Sequence, residues 1–256
     1  MFDRQFVRAA VVAATFLATR GAGAQGSAAD HIRIGDREHA AHNVSSAYRH
    51  YEMAVAADSN SYEAEWKASR NAVEAGELAA GSEQRKLYAA AERHARRAVK
   101  LNPSHAEGHV ALARALGRTA LSVGKRERVK YAAEVREQAL DALKYDPRHA
   151  GALHIMGVWN AEIMRLSGVT RFMAKNFLGG EVFESASWKD AVRYMEQAVA
   201  VDPDRLVHRI DLAEIYADAG DKAKARAAFQ HVVSARAVEP ADAKYKQQAE
   251  RALKAL

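Results

Sequence analysis

An Asn-Pro or Asp-Pro step returns at intervals along this chain: Asn102-Pro103, Asp146-Pro147 and Asp202-Pro203, with Asp58-Ser59 in the same place one interval earlier. From Asp58 the successive spacings are 44, 44 and 56 residues. Each step closes an alanine-rich run and opens another. Proline lacks an amide hydrogen and pushes its predecessor out of helical geometry, so it ends one helix and starts the next at a set angle. A recurrence of this size marks a repeat architecture, in which each unit leans on its neighbours.

The runs between the steps carry one apolar pattern. Ala191, Tyr194, Met195, Ala198 and Val199 fall at i, i+3, i+4, i+7 and i+8, and so do Ala225, Ala228, Phe229, Val232 and Val233. Ala91, His94, Ala95, Ala98 and Val99 repeat it with a histidine in the second place, and Val44, Ala47, Tyr48 and Tyr51 repeat its first four positions. That spacing draws a stripe down one face of a helix. Runs of alternating β-branched residues are missing, so the fold class is all-α. Helices are expected near 37–57, 62–75, 82–101, 105–121, 126–145, 149–166, 187–201, 205–219, 222–236 and 241–255. Ser104 with Glu107 and Ser187 with Asp190 have the spacing of capping boxes. The last helix, with Tyr245, Ala249 and Leu253 on one face, is expected to cap the open end.

Leu212, Ala213, Tyr216, Gly220, Asp221, Ala225, Phe229 and Val232 together resemble a complete tetratricopeptide signature. Gly220-Asp221 would be the tight turn between its paired helices. Gly76 and Gly117 lie near the matching place in earlier, looser units. The resemblance implies a tetratricopeptide-like α-solenoid of antiparallel helix pairs over 36–256, with an insert at about 168–185. Tetratricopeptide units are about 34 residues long, so these are longer or carry inserts. A narrower set, Gly157, Trp159, Glu162, Leu166, Ser167, Phe177, Ala186-Ser187 and Asp190-Ala191, is similar to the regulator of microtubule dynamics family. That family's tetratricopeptide-like domain carries a similar long insert, and its eukaryotic members associate with microtubules and organelle membranes. This second resemblance implies a shared shape over roughly residues 84–250.

The N-terminus suggests where the chain works. Arg4 and Arg8 precede the mostly apolar stretch Ala9 to Ala18, and Ala22-Gly23-Ala24 supplies small residues. This is the layout of a secretory signal over 1–24, too short to span a bilayer. A polar lead over 25–35 would follow. The expected product is exported and periplasmic, without stable membrane insertion after cleavage. The absence of cysteine is compatible with an oxidising compartment and removes disulfides, thiol nucleophiles and iron–sulfur ligation.

No Gly-x-Ser-x-Gly elbow, His-Glu-x-x-His motif or phosphate loop is present, and the expectation is a protein that is not an enzyme and carries no cofactor. His105 with His109 and His39 with His42 could face a metal in pairs, but a zinc site needs three or four convergent ligands, so no metal is expected. The net charge of +6 is spread over 38 basic and 32 acidic residues, and an exported chain meets little nucleic acid. The basic clusters Lys125, Arg126, Arg128 and Lys130, and Arg93, Arg96, Arg97 and Lys100, read as solvated helix faces or patches for an acidic partner.

In a tetratricopeptide solenoid the first helix of each hairpin lines the concave side. Helical spacing from the packing residues then places Glu63, Trp66, Arg70, Glu74, Glu107, Arg114, Arg118, His154, Glu162, Glu214 and Asp218 on the groove wall. Tryptophan and arginine are common interface anchors, so a protein or peptide partner is expected there. The lysine and asparagine of a carboxylate clamp are replaced by Trp66, Arg70, Ala111, Gly151 and Ile155. The insert offers an alternative. Arg171, Phe172 and Phe177 could close a lid over a pocket for a small or lipid-like ligand, or the insert could be a packed strut.

Overall fold

A computed structural model describes residues 26–121, 123–172 and 181–256. The signal segment 1–24 lies outside the described residues. Eleven α-helices are described: α1 Ala28–Ala40, α2 Val44–Ala57, α3 Tyr62–Leu78, α4 Gly81–Leu101, α5 Ala106–Ala120, α6 Lys125–Tyr145, α7 Ala150–Arg165, α8 Trp188–Val201, α9 Leu206–Asp218, α10 Lys222–Ser234 and α11 Asp242–Ala255. A 3-10 turn, Glu181–Ser185, precedes α8, and a helical turn opens at Gly168. Among the described residues there is no strand.

Five hairpins form: α1 with α2, α3 with α4, α5 with α6, α7 with α8 and α9 with α10. The single helix α11 packs on α10 and α9. Ala249 is fully buried there, with Tyr245 and Leu253 against the same core, as a cap requires. First helices of successive hairpins also touch one another, and together they form one wall. The architecture is the α-solenoid that the repeat pattern implied.

The recurring Asp/Asn step has a common local cause. Asp58, Asn102, Asp146 and Asp202 each follow the last residue of a second helix, and each backbone N–H donates to the carbonyl four residues back. The side chains of Asp58, Asn102 and Asp146 then accept from the amide two residues on, at 2.9, 3.3 and 2.9 Å. These local turns stop the helix, and proline prevents its resumption.

Hairpins close on small residues. Gly35 and Gly76 sit under the rings of Tyr51 and Tyr88, and Gly157 under Met195. A Cβ on Gly35 would lie 2.6 Å from Tyr51 Cε1. The apolar clusters each span neighbouring hairpins, from Ala47, Tyr51 and Ala68 to the large C-terminal cluster around Met195, Ile210 and Phe229.

Three expectations are corrected. Helix begins at Ala28 rather than near 37: Ser27 and Asp30 form a capping box, and residues 28–35 of the polar lead are the first turns of α1. The single helix at 37–57 is two, broken at His42, whose φ is 58°. Ser104 does not cap α5; His105 does, its Nδ1 accepting from Glu107 N at 3.4 Å, while the Ser104 amide and hydroxyl donate to Asn102 Oδ1.

Candidate functional site

The exposed or half-exposed stripe of α3 contains Glu63, Trp66, Arg70, Glu74 and Glu77, and the rest of that helix is almost entirely buried. Glu107, Arg114 and Arg118 continue the stripe on α5, His154, Glu162 and Arg165 on α7, and Asp211, Glu214 and Asp218 on α9. All eleven residues expected on the groove wall therefore lie on first helices, along one surface. Each is also tied to a neighbour.

The ties run mainly from one hairpin to the next. His39 Nδ1 of α1 donates to Asn71 Oδ1 (3.0 Å) and lies 3.4 Å from Glu74 of α3. Glu74 is 4.0 Å from Arg114 of α5, and Glu77 is paired with Arg118. Glu107 of α5 lies 3.5 Å from His149, the residue that caps α7. On the C-terminal side, His154 Nε2 lies 3.3 Å from Asp211 Oδ2, and Arg165 donates to Asp218 at 2.8 and 2.5 Å and to Glu162 at 2.6 Å. Glu214 accepts from Gln248 of α11. Trp66 is half-buried against the central core, with the Arg70 guanidinium 5.1 Å from its ring centroid.

Protonation follows these neighbours. Burial works to raise the Glu74 carboxyl, but His39 and Arg114 outweigh it and hold its pKa below the usual value. His149 bonds to Glu107 and draws that carboxyl down; burial opposes charge on His149, yet Glu107 lifts its pKa. Burial pushes the Arg114 pKa down, with Glu74 and Glu77 opposing. That side chain lies deep in the concavity although 30% of it remains exposed.

The pair across α7 and α9 behaves differently. Burial, then the neighbouring Glu214, raises Asp211 to about 7. Burial, His208 and Arg114 lower His154 well below its ordinary value, and burial with Arg205 lowers His208 to about 4. His154 Nδ1 and His208 Nδ1 are 2.9 Å apart. One proton between Asp211 and His154, and one between the two rings, serves these two contacts, while His208 Nε2 is buried without a partner.

His105 meets Tyr62 Oη at 3.0 Å, while His109 is bonded to Gln138 and to the Pro103 carbonyl. Among the described residues no three His, Asp or Glu side chains converge as a metal site requires. Of the lid residues, Arg171 reaches back to Met164 Sδ at 3.2 Å, Phe172 is 61% exposed, and Phe177 lies outside the described residues. The exit of the insert is a strut: Phe183 is buried edge-on to Trp159, whose Nε1 donates to the Ala132 carbonyl at 2.7 Å.

Asp211, Arg165, Glu77 and His149 were missed as wall residues. The first three share the helical phase of residues that were found: Arg165 is three beyond Glu162, Asp211 three before Glu214, and Glu77 three beyond Glu74. His149 joins the wall through a cap, which no helical phase predicts.

Residues 28–256 match the family described as regulator of microtubule dynamics protein 1-3. The chain belongs to this family. Regulator of microtubule dynamics protein 1 of Bos taurus is 26% identical over 141 residues, covering 54% of this chain and 44% of the bovine protein. The Homo sapiens protein gives the same figures. The matched stretch thus spans less than half the length of these relatives. Among solved structures, a thermophilic tetratricopeptide protein of Thermus thermophilus superposes with a TM-score of 0.66 at 21% identity, covering 89% of this chain and 99% of that one. This likeness fixes the tetratricopeptide fold for the family member in hand.

Proposed function

We propose that the chain is a non-enzymatic scaffold that holds a protein or peptide along the inner wall of α3, α5, α7 and α9. The observation that carries this reading is the continuity of the polar stripe: four successive first helices leave one face out of the core, and all four faces fall on one surface. Arg70 on Trp66, Arg114 and His154 would supply anchors, and the paired carboxylates would set the charge pattern that a partner must match. We further propose that residues 1–24 direct the chain to the periplasm, where that partner would be met, and that nucleic acid is not a partner.

A photo-crosslinking side chain placed at Glu162, exposed on the wall, tests the reading against one placed at Glu137, exposed on the second helix α6. Protein adducts from 162 and none from 137 are expected in cells. Adducts from 137 alone would remove the wall from consideration. N-terminal sequencing of the recovered chain tests export, with a start after Ala24 expected.

A further inference from the structure

The inner wall is opposite in sign to the chain that carries it. The whole chain has a net charge of +6. On α3 and α5 the stripe described above has four carboxylates to three arginines, and on α7 and α9 Glu162, Asp211, Glu214 and Asp218 have Arg165 alone. Lys67, at the foot of α3, does not reverse this, because it is shared between Glu63 and Asp36. The rest of the chain therefore carries the whole positive excess, and the wall is a negative trough within it.

The imbalance is concentrated in the α7–α9 half. Arg165 is one cation bonded to two carboxylates, Glu162 and Asp218. The other two acids have neutral neighbours. Asp211 lies 3.3 Å from His154, which burial, His208 and Arg114 keep uncharged, and Glu214 accepts from the amide of Gln248. Burial and then Glu214 raise Asp211 to about 7, outweighing Arg165 and Arg118, so a proton stands there in place of a cation. Asp211, Glu214 and Asp218 follow one another at i, i+3 and i+7, with about 5–6 Å between neighbouring Cβ atoms, and Arg165 joins the row to Glu162 on α7. Among the described residues no three such groups converge on one point as a metal ion requires. A row of separated carboxylates suits separated side-chain cations instead.

An acidic partner would meet a different situation. Arg118 is already paired with Glu77, and Arg114 lies beside Glu74, so an incoming carboxylate would have to displace one from the wall and pass the others. A cationic segment displaces nothing, and the positive remainder of the chain repels it from every surface but this one.

We propose that the partner held on the inner wall presents a basic segment, with lysine or arginine side chains lodged among Glu162, Asp211, Glu214 and Asp218. This rests on the wall being the binding surface, as proposed above, and adds the chemistry of what it binds.

Fluorescence anisotropy of the full chain with short labelled peptides tests it. The peptides share one leucine and serine frame and carry lysine, glutamine or glutamate at alternate positions. The lysine peptide is expected to bind, more weakly as salt is added, with the glutamine peptide weaker and the glutamate peptide not bound. Glu162→Gln combined with Glu214→Gln should weaken the lysine peptide by about fivefold without changing the helical circular dichroism, and should keep an acceptor for Gln248. Glu137→Gln, on the exposed side of α6, should leave the affinity as it was. Preference for the glutamate peptide overturns the proposal, and so does an affinity for the lysine peptide that the paired substitution does not alter. The crosslinks from position 162 separate the two readings. Adducts that map to acidic or uncharged segments of a partner would overturn the basic segment and keep the wall as the binding surface, whereas no adducts at all would remove both.

Discussion

Asp211 and His208 pull stability in opposite directions across the same pH range. Asp211 keeps its proton in the folded state up to about pH 7, while an unfolded aspartate loses it near 3.8. Its contribution is therefore complete at low pH and is lost as pH climbs from about 4 to 7. His208 stays neutral when folded down to about pH 4, whereas an unfolded histidine takes up a proton near 6.5. Its contribution is complete above pH 6.5 and is lost as pH falls toward 4. Asp211→Asn removes the first effect and keeps an amide able to donate to His154. It is expected to raise stability by about 1–2 kcal/mol at pH 8 and to change little at pH 4. The side chain is 29% exposed, which is why the gain falls short of the full pKa difference. Urea denaturation across that range checks the sign; a lower midpoint at pH 8 contradicts the assignment. A second residue carries a different balance. Lys67 is 8% exposed, and its Nζ donates to Asp36 at 2.7 and 2.8 Å and to Glu63 at 2.7 Å, while Tyr51 Oη also donates to Asp36. Lys67→Met strands two carboxylates, but their side chains are 45% and 54% exposed and can turn to water. The expected loss is about 1–3 kcal/mol, below the cost of breaking a fully buried pair.

At the scale of elements, the same local motif is plain in one place and concealed in another. At the end of α9, Gly220 takes a left-handed φ of 90°, its amide bonds to Ala217 O, and the Asp221 amide bonds to Tyr216 O. At the end of α1, His42 bonds to His39 O and Asn43 to Glu38 O with φ at 58°. Both are Schellman ends. Glycine announces the first in the sequence, and a histidine hides the second, so α1 and α2 read as one helix. The stripes of α2, α4, α8 and α10 were legible because they are packed on one side only. The wall face was legible for the same reason, since whatever is not packed must face out. Its pairings were not, because they join residues about 34 to 57 positions apart on different hairpins. The insert shows the limit most clearly. Its exit is set by Asn160 of α7, which is 2% exposed, donates to Met156 O at 2.8 Å and accepts from the Ser187 amide at 3.1 Å. Asn160→Leu would keep the volume and leave that amide without its acceptor, at an expected cost of about 1–3 kcal/mol. Hydrogen exchange should rise first at the start of α8, and unchanged protection there would show that the hydrogen bond does not position that helix.

Across the whole molecule, each apolar cluster joins neighbouring hairpins, so stability should propagate through nearest neighbours and fade with distance. The polar wall reinforces this arrangement, because its ties also link one first helix to the next. Gly35 offers a local perturbation at one end. A methyl group there collides with the ring of Tyr51, which is fully buried and held at its hydroxyl by Asp36. The ring cannot swing away without losing that bond. Gly35→Ala should therefore cost about 1–3 kcal/mol, the range for overpacking a tight contact. In a closed globular core that loss would lower protection everywhere. Here exchange is expected to accelerate across 28–57, to rise modestly in α3 through the Asp36–Lys67 contact, and to stay at its original rate across 188–234. Mass-spectrometric exchange on the intact chain separates the two cases. Uniform acceleration from α1 to α10 would mean that the hairpins fold as one unit, and the inner wall would then move as one body when a partner binds. Acceleration confined to the first hairpin would mean that the wall can open from its ends while the centre holds.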